Sequence, residues 1–241
     1  VLTMYFVLWR PFTANTSLIG GLINVQSNQH TKAIASFEKA YASGPLGQQE
    51  VIEQLVSNAQ SVLGSSLPLE ERNAFFSFAK NAVLEQAAKY PDDVRQQILT
   101  GMFLTTTSSP EEGIVYLEKA KALAPSKQEI YFQLANTYLS KGDTTKALAA
   151  LRTAYELAPG FARAKSLYLV GAIYAENRSL ETELLSKFGA QELAFNDSVL
   201  SAYYEKKRLS EVISLLELRK KFDPANVAQY DALISQVRNG N

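Results

Sequence analysis

Residues 131–159 read YFQLANTYLSKGDTTKALAALRTAYELAP, and their spacing decides the fold. Tyr131, Leu134, Ala135 and Tyr138 stand at i, i+3, i+4 and i+7, one face of a 3.6-residue helix. Gly142 ends that helix, because glycine accepts the left-handed backbone of a C-terminal cap. Asp143 or Thr144 can then accept hydrogen bonds from the free N–H groups of the next helix. In that second helix, which runs to about Leu157, Ala147, Leu148, Leu151 and Ala154 share a face, and its alanines let a neighbouring helix come close. Pro159 closes the unit. Leu134, Tyr138, Leu148 and Leu151 are the expected packed centre.

This order of residues resembles the tetratricopeptide repeat (TPR), departing at Tyr131, where Trp is usual, and at Ala135, where Gly is usual. Pro91, Pro125 and Pro159 recur every 34 residues, which is the period of that repeat. Between the first two, Gly101, Leu104, Gly113, Leu117 and Ala120 hold signature positions. Ser109-Pro110-Glu111-Glu112 is a helix start with an N-cap, an early Pro and an acid at N3. Upstream, Asn15 to Val25 and a helix carrying Ala33, Phe37 and Ala40 make a first pair closed by Pro45. Gly47 to Leu63 and Glu70 to Tyr90 make a longer second pair. After Pro159 the register slips: Val170, Gly171 and Tyr174 give a good first helix, but Ser179 to Phe188 is a short second one. Val199, Leu200, Tyr203, Val212, Leu216 and Pro224 then resume the pattern. Pro224 falls 65 residues after Pro159, three short of two periods. Val227 to Val237 reads as a half-polar capping helix. The resemblance implies an all-α fold, an α-solenoid built as a right-handed TPR-like superhelix of about six helical hairpins plus a C-terminal capping helix, over residues 13–241.

Composition removes several functions. Lys+Arg 24 against Asp+Glu 24 gives no global field for nucleic acid or an anionic membrane. With no Cys, disulfides, thiolate metal sites and a Cys nucleophile are excluded. His30, the single histidine, lies at a helix start in a polar stretch, and its expected role is structural. The pairs Glu70-Glu71, Glu111-Glu112 and Asp92-Asp93 sit at helix starts, where the helix dipole and capping explain them without catalysis. No phosphate-binding glycine motif occurs. Asn15, Asn177 and Asn196 open glycosylation triplets that are cheap in an Asn- and Ser-rich chain. Lys206-Lys207-Arg208 and Arg219-Lys220-Lys221 form a local basic patch, read as solvated faces, with lipid headgroups the lesser reading. The chain is therefore read as non-catalytic, with no cofactor, no metal and no nucleic-acid partner.

Residues 1–12, VLTMYFVLWRPF, open with nine almost wholly apolar residues. Nine residues cannot cross a bilayer, which takes about 20. They read either as the end of a membrane helix cut by the start of the sequence, with Tyr5 and Trp9 at the interface, or as an apolar arm on the first repeat. The layout YFVLWRPF, NTSLIGGLI, KAIASFEKAYA and LGQQEVIEQL is similar to the C-terminal part of bacterial O-antigen ligase and polymerase family membrane proteins, over about residues 5 to 57. That resemblance implies a soluble appendage, on one side of a bacterial cell membrane, of a polytopic glycosyltransferase acting on lipid-linked glycan. None of that family's catalytic residues maps onto this chain. The alternative is a free-standing, cytoplasmic TPR adaptor.

Stacked repeats offer the first helix of each pair to a concave surface, where positions spared from packing can meet a peptide or a partner helix. From the register these are Arg95, Ile98, Met102, Phe132, Asn136, Leu139, Lys165 and Tyr168. Asn136 matches the Asn of the carboxylate clamp in chaperone-binding TPRs, but Phe132 stands where the clamp has lysine, so a mostly apolar groove is expected. The competing expectation is that Met102, Phe132 and Tyr168 pack against neighbouring helices.

Overall fold

The computed structural model describes residues 9–27, 29–107 and 109–239, so most of the apolar opening stretch lies outside the described residues. The described elements are all helical. The chain divides into two compact units, Val1–Pro125 and Ser126–Asn241.

In the first unit, α1 (Arg10–Gln26) pairs with α2 (His30–Ala42), α3 (Pro45–Leu63) with α4 (Leu69–Lys89), and α5 (Val94–Thr107) with α6 (Pro110–Leu123). α1 begins ahead of the expected Asn15, and Ala14, 3% exposed, packs near Gly47 of α3. Phe37, Ile52, Leu55, Phe103 and Leu104 are wholly buried in one cluster drawn from α2, α3 and α5. α5 and α6 cross closely. A Cβ on Gly113 would lie 2.7 Å from the Gly101 carbonyl oxygen, so backbone approach requires that glycine, while a Cβ on Gly101 would first meet the Leu117 side chain, 2.7 Å from its Cγ. Sequence reading did not foresee the buried glutamines. Gln97 Nε2 donates to the carbonyls of Ala87, Tyr90 and Pro91 at 3.2–3.3 Å, fixing the link where Pro91 stops the helix, and Gln86 Nε2 donates to Tyr41 Oη at 2.9 Å. Each satisfies groups that would be costly to bury alone.

The second unit carries α7 (Gln128–Ser140), α8 (Thr144–Leu157), α9 (Ala162–Tyr174), α10 (Arg178–Leu185), the short α11 (Ala190–Ala194), α12 (Asp197–Glu205), α13 (Leu209–Phe222) and α14 (Val227–Asn239). Three of its hairpin turns are the same device. After α7, Gly142 sits at φ 76°; its N–H reaches the Leu139 carbonyl at 2.9 Å, and that of Asp143 reaches Tyr138 at 2.9 Å. This paired closure is a Schellman cap. Glu176 after α9 and Lys207 after α12 repeat it at φ 55° each, with the next N–H bonded to Ala172 at 3.0 Å and to Tyr203 at 2.8 Å. Gly142 and Glu176 are 34 residues apart, so the turn keeps the period although the closing proline is gone. From Glu176 to Lys207 the interval is 31, which locates the three-residue slip in the segment where an eight-residue α10 and the five-residue α11 replace one full helix.

The expected centre of the α7/α8 hairpin is half right. Leu134 and Leu151 are 1% and 3% exposed, and Ala147 is fully buried, but Tyr138 and Leu148 are only partly covered, at the margin of the packed face. Among the described residues, no helix is long and apolar enough to cross a membrane.

Candidate functional site

α7 and α9 are successive first helices, and two hairpin reversals make them run in the same sense. Phe132, Asn136 and Leu139 follow one another along α7 at i, i+4 and i+7, and Arg163, Leu167 and Val170 do the same along α9. Together with Gln133, Ala135 and Leu151 they line a groove of about 260 Å³. Leu151, from α8, closes its floor. The Arg163 guanidinium lies over Phe132, its Cζ 5.1 Å from the centroid of that ring. Arg163 and Asn136 are exposed, whereas Phe132 is 6% exposed. Gln133 is committed, donating to Glu129 Oε1 at 2.6 Å. Among the described residues, neither Arg163 nor Asn136 spends its side chain on a hydrogen bond or ion pair. The groove can therefore take an apolar group beside two polar side chains with free hydrogen-bonding capacity.

Three of the eight expected residues, Phe132, Asn136 and Leu139, meet in this groove. Tyr168 and Lys165 do not line it. Tyr168 stacks on Tyr155 with ring centroids 5.4 Å apart, and burial pushes its phenol up. Lys165 pairs with Glu192 at 2.8 Å and donates to the Lys187 carbonyl. In the first unit, Arg95 is exposed and pairs with Glu53 at 2.5 Å, Ile98 is 6% exposed, and Met102 is half-buried. Sequence reasoning missed Arg163. Its signal was a cation in the first turn of a helix, the end where the dipole disfavours positive charge.

A second hollow of about 360 Å³ lies among α12, α13 and α14, lined chiefly by Leu200, Tyr204, Leu216, Leu233 and Val237. Its one charged lining residue, Glu205, already accepts a hydrogen bond from Tyr174.

Other residues singled out in the sequence have structural explanations. His30 is 8% exposed at the first position of α2. Asn177 and Asn196 are N-caps, accepting from Leu180 N and Val199 N at 3.1 and 3.2 Å, as do Ser109 and Asp143 for their own helices. The basic patch is largely neutralised rather than simply solvated. Lys206 pairs with Glu176, Arg208 with Glu181 and Glu211, Arg219 with Asp197, and Lys220 with Glu217 and Asp231. Among the described residues, no group of three or more His, Asp or Glu side chains is placed to hold a metal ion.

Residues 128–161 match the tetratricopeptide repeat family. A tetratricopeptide repeat protein from Parabacteroides merdae is similar over 94% of this chain and 93% of its own, with a TM-score of 0.56 at 12% identity. The MamA protein is similar over 81% of this chain and 94% of its own, at 17% identity and a TM-score of 0.48. No curated protein matches the chain. At 12% identity the likeness to the Parabacteroides protein is one of fold: an all-α solenoid carrying at least one TPR.

Proposed function

We propose that this chain is a non-catalytic protein-interaction module that holds a segment of a partner protein in the groove between α7 and α9. The observation that carries the reading is the groove itself. Phe132, Leu139, Leu167 and Val170 gather from two adjacent first helices around a hollow in which the Arg163 and Asn136 side chains are unspent. Apolar anchors with a few convergent polar groups are what a peptide site requires. The test is selection of a random 12-residue peptide library displayed on phage against the immobilised chain. Enriched peptides should bind the parent and lose binding to Leu167→Asp, with the helical circular dichroism of that variant unchanged. Peptides indifferent to Leu167→Asp, or none enriched, would overturn the reading.

A narrower setting, a module borne by a membrane glycan-assembly enzyme, draws support from the resemblance over residues 5–57 and from one feature of α1. Trp9 and Phe12 are each 62% exposed, and Ile19 and Ile23 each 56%, an apolar row that the described residues leave uncovered. A free-standing adaptor needs no such row.

A further inference from the structure

The geometry points to a partner segment that sets an Asp or Glu side chain against Arg163 and, about three residues along an extended backbone, an apolar side chain between Leu139, Leu167 and Val170. This rests on the groove being the binding site and specifies what it reads.

Charge complementarity carries the first half. Of the nine lining residues Arg163 alone is ionised, and the Glu129 carboxylate beside them is taken up by Gln133, so the lining itself favours an anion at Arg163. The guanidinium lies over the Phe132 ring, an attraction that favours this position without using its N–H donors. A planar fork of free donors matches a carboxylate in bidentate fashion. Asn136, one turn along α7 from Phe132, offers a second uncommitted donor.

Length carries the second half. Phe132 to Leu139 and Arg163 to Val170 each span seven residues, roughly 10 Å at the helical rise. The charge stands at one end of both walls, and Leu139 and Val170 stand at the other. An extended chain covers about 10 Å in three residues, which sets the acid-to-apolar spacing. A hollow of about 260 Å³ is below the usual range for a whole small-molecule ligand and suits an inserted side chain. The acid is placed within the partner's sequence rather than at its C-terminus, because Arg163 is the single cation that lines the groove and, of its two amides, Gln133 is already bonded to Glu129 and only Asn136 is free.

The selected peptides decide the matter. Those sensitive to Leu167→Asp should be enriched in Asp or Glu three positions from Leu, Ile or Phe. Synthetic versions should lose affinity by about tenfold or more when the acid becomes its amide, or when the protein carries Arg163→Gln. The amide peptide should not distinguish parent from Arg163→Gln, and blocking the peptide C-terminus as the amide should change nothing. Peptides that need Leu167 but show no acid preference and ignore Arg163→Gln would overturn this inference while leaving the groove as a binding site. Loss of binding on C-terminal amidation would overturn it in favour of terminal-carboxylate capture.

Discussion

Arg208 closes a two-pronged clamp on the buried carboxylate of Glu181, Nη1 to Oε2 and Nη2 to Oε1, both at 2.7 Å. The Glu181 side chain is 5% exposed and that of Arg208 12%, and Tyr203 donates its hydroxyl to Glu181 Oε1 at 2.9 Å. Glu181 lies on the shortened α10, Tyr203 on α12 and Arg208 at the start of α13. The cluster thus fastens the region where the repeat loses its period and its closing proline. Deep apolar packing does this elsewhere; here a satisfied ion cluster supplements it.

Without Arg208 the buried Glu181 carboxylate keeps only the Tyr203 hydroxyl and the exposed Arg178, 3.7 Å away, and stripping the main partner from a buried charge costs far more than the pair itself contributes. Arg208→Ala should therefore lower stability by about 3–5 kcal/mol. Arg208→Lys, which keeps the charge but not the fork, should fall between. Urea unfolding followed at the helical signal measures both, and an unchanged midpoint for Arg208→Ala would refute the assignment.

Alkaline pH should weaken the second unit. Burial first, then the hydrogen bond to Glu181, raises the Tyr203 phenol well above its ordinary value, and burial with the Glu205 hydrogen bond lifts Tyr174 to about 12. The folded state holds these protons more tightly than the unfolded chain, whose tyrosines titrate near 10. Their stabilising contribution is complete below about pH 10 and is lost as pH rises toward the folded values. Absorbance at the phenolate band should show late-titrating tyrosines, one of which disappears in Tyr203→Phe. A single transition near pH 10 for all tyrosines would contradict this.

The three matched turns give a third expectation. Lys207 holds the left-handed backbone that Gly142 adopts at the equivalent turn. A side chain there costs about 1–2 kcal/mol, while glycine loses roughly 0.5–1 kcal/mol more entropy on folding. Lys207→Gly should stabilise by about 0.5–1 kcal/mol and Gly142→Ala should destabilise by about 1 kcal/mol. Opposite signs in paired melting curves would show that the turns are not equivalent.

Those turns also explain what the sequence could and could not reveal. The repeat was legible wherever Gly, Ala and Pro marked it, since Gly142, Ala147 and Pro159 each answer a backbone or packing demand that few residues meet. It faded where Glu176 and Lys207 occupy a glycine's conformation and where α11 intervenes, because ion pairs and caps leave no periodic trace. The site was legible in part for the same reason. Phe132, Asn136 and Leu139 follow from register along one helix, but Arg163 enters through the crossing of a second helix, and Tyr168 and Ile98 are turned into packing by neighbours that no single-helix pattern shows.

Trp9 offers the last test, because it is the chain's only tryptophan and is 62% exposed at the head of the α1 row. At 100° per residue, Trp9, Phe12, Thr16, Ile19 and Ile23 fall within an arc of about 80°, a narrow stripe. Thr16 inside it turns its hydroxyl back to the Phe12 carbonyl at 2.9 Å, which softens the one polar interruption. In water the Trp9 emission should be that of a solvated indole and should be quenched freely by acrylamide. If α1 meets a bilayer surface, vesicles of phosphatidylcholine and phosphatidylglycerol should shift the emission to the blue and protect it from the quencher. Ile19→Glu with Ile23→Glu should abolish both effects, since charges in the stripe oppose burial in the headgroup region. The unfolding midpoint should hardly move, because both isoleucines are more than half exposed. An emission indifferent to vesicles would remove the membrane-side setting and leave the adaptor reading alone. A collapse of the midpoint in the double variant would instead show that these isoleucines are packed against protein.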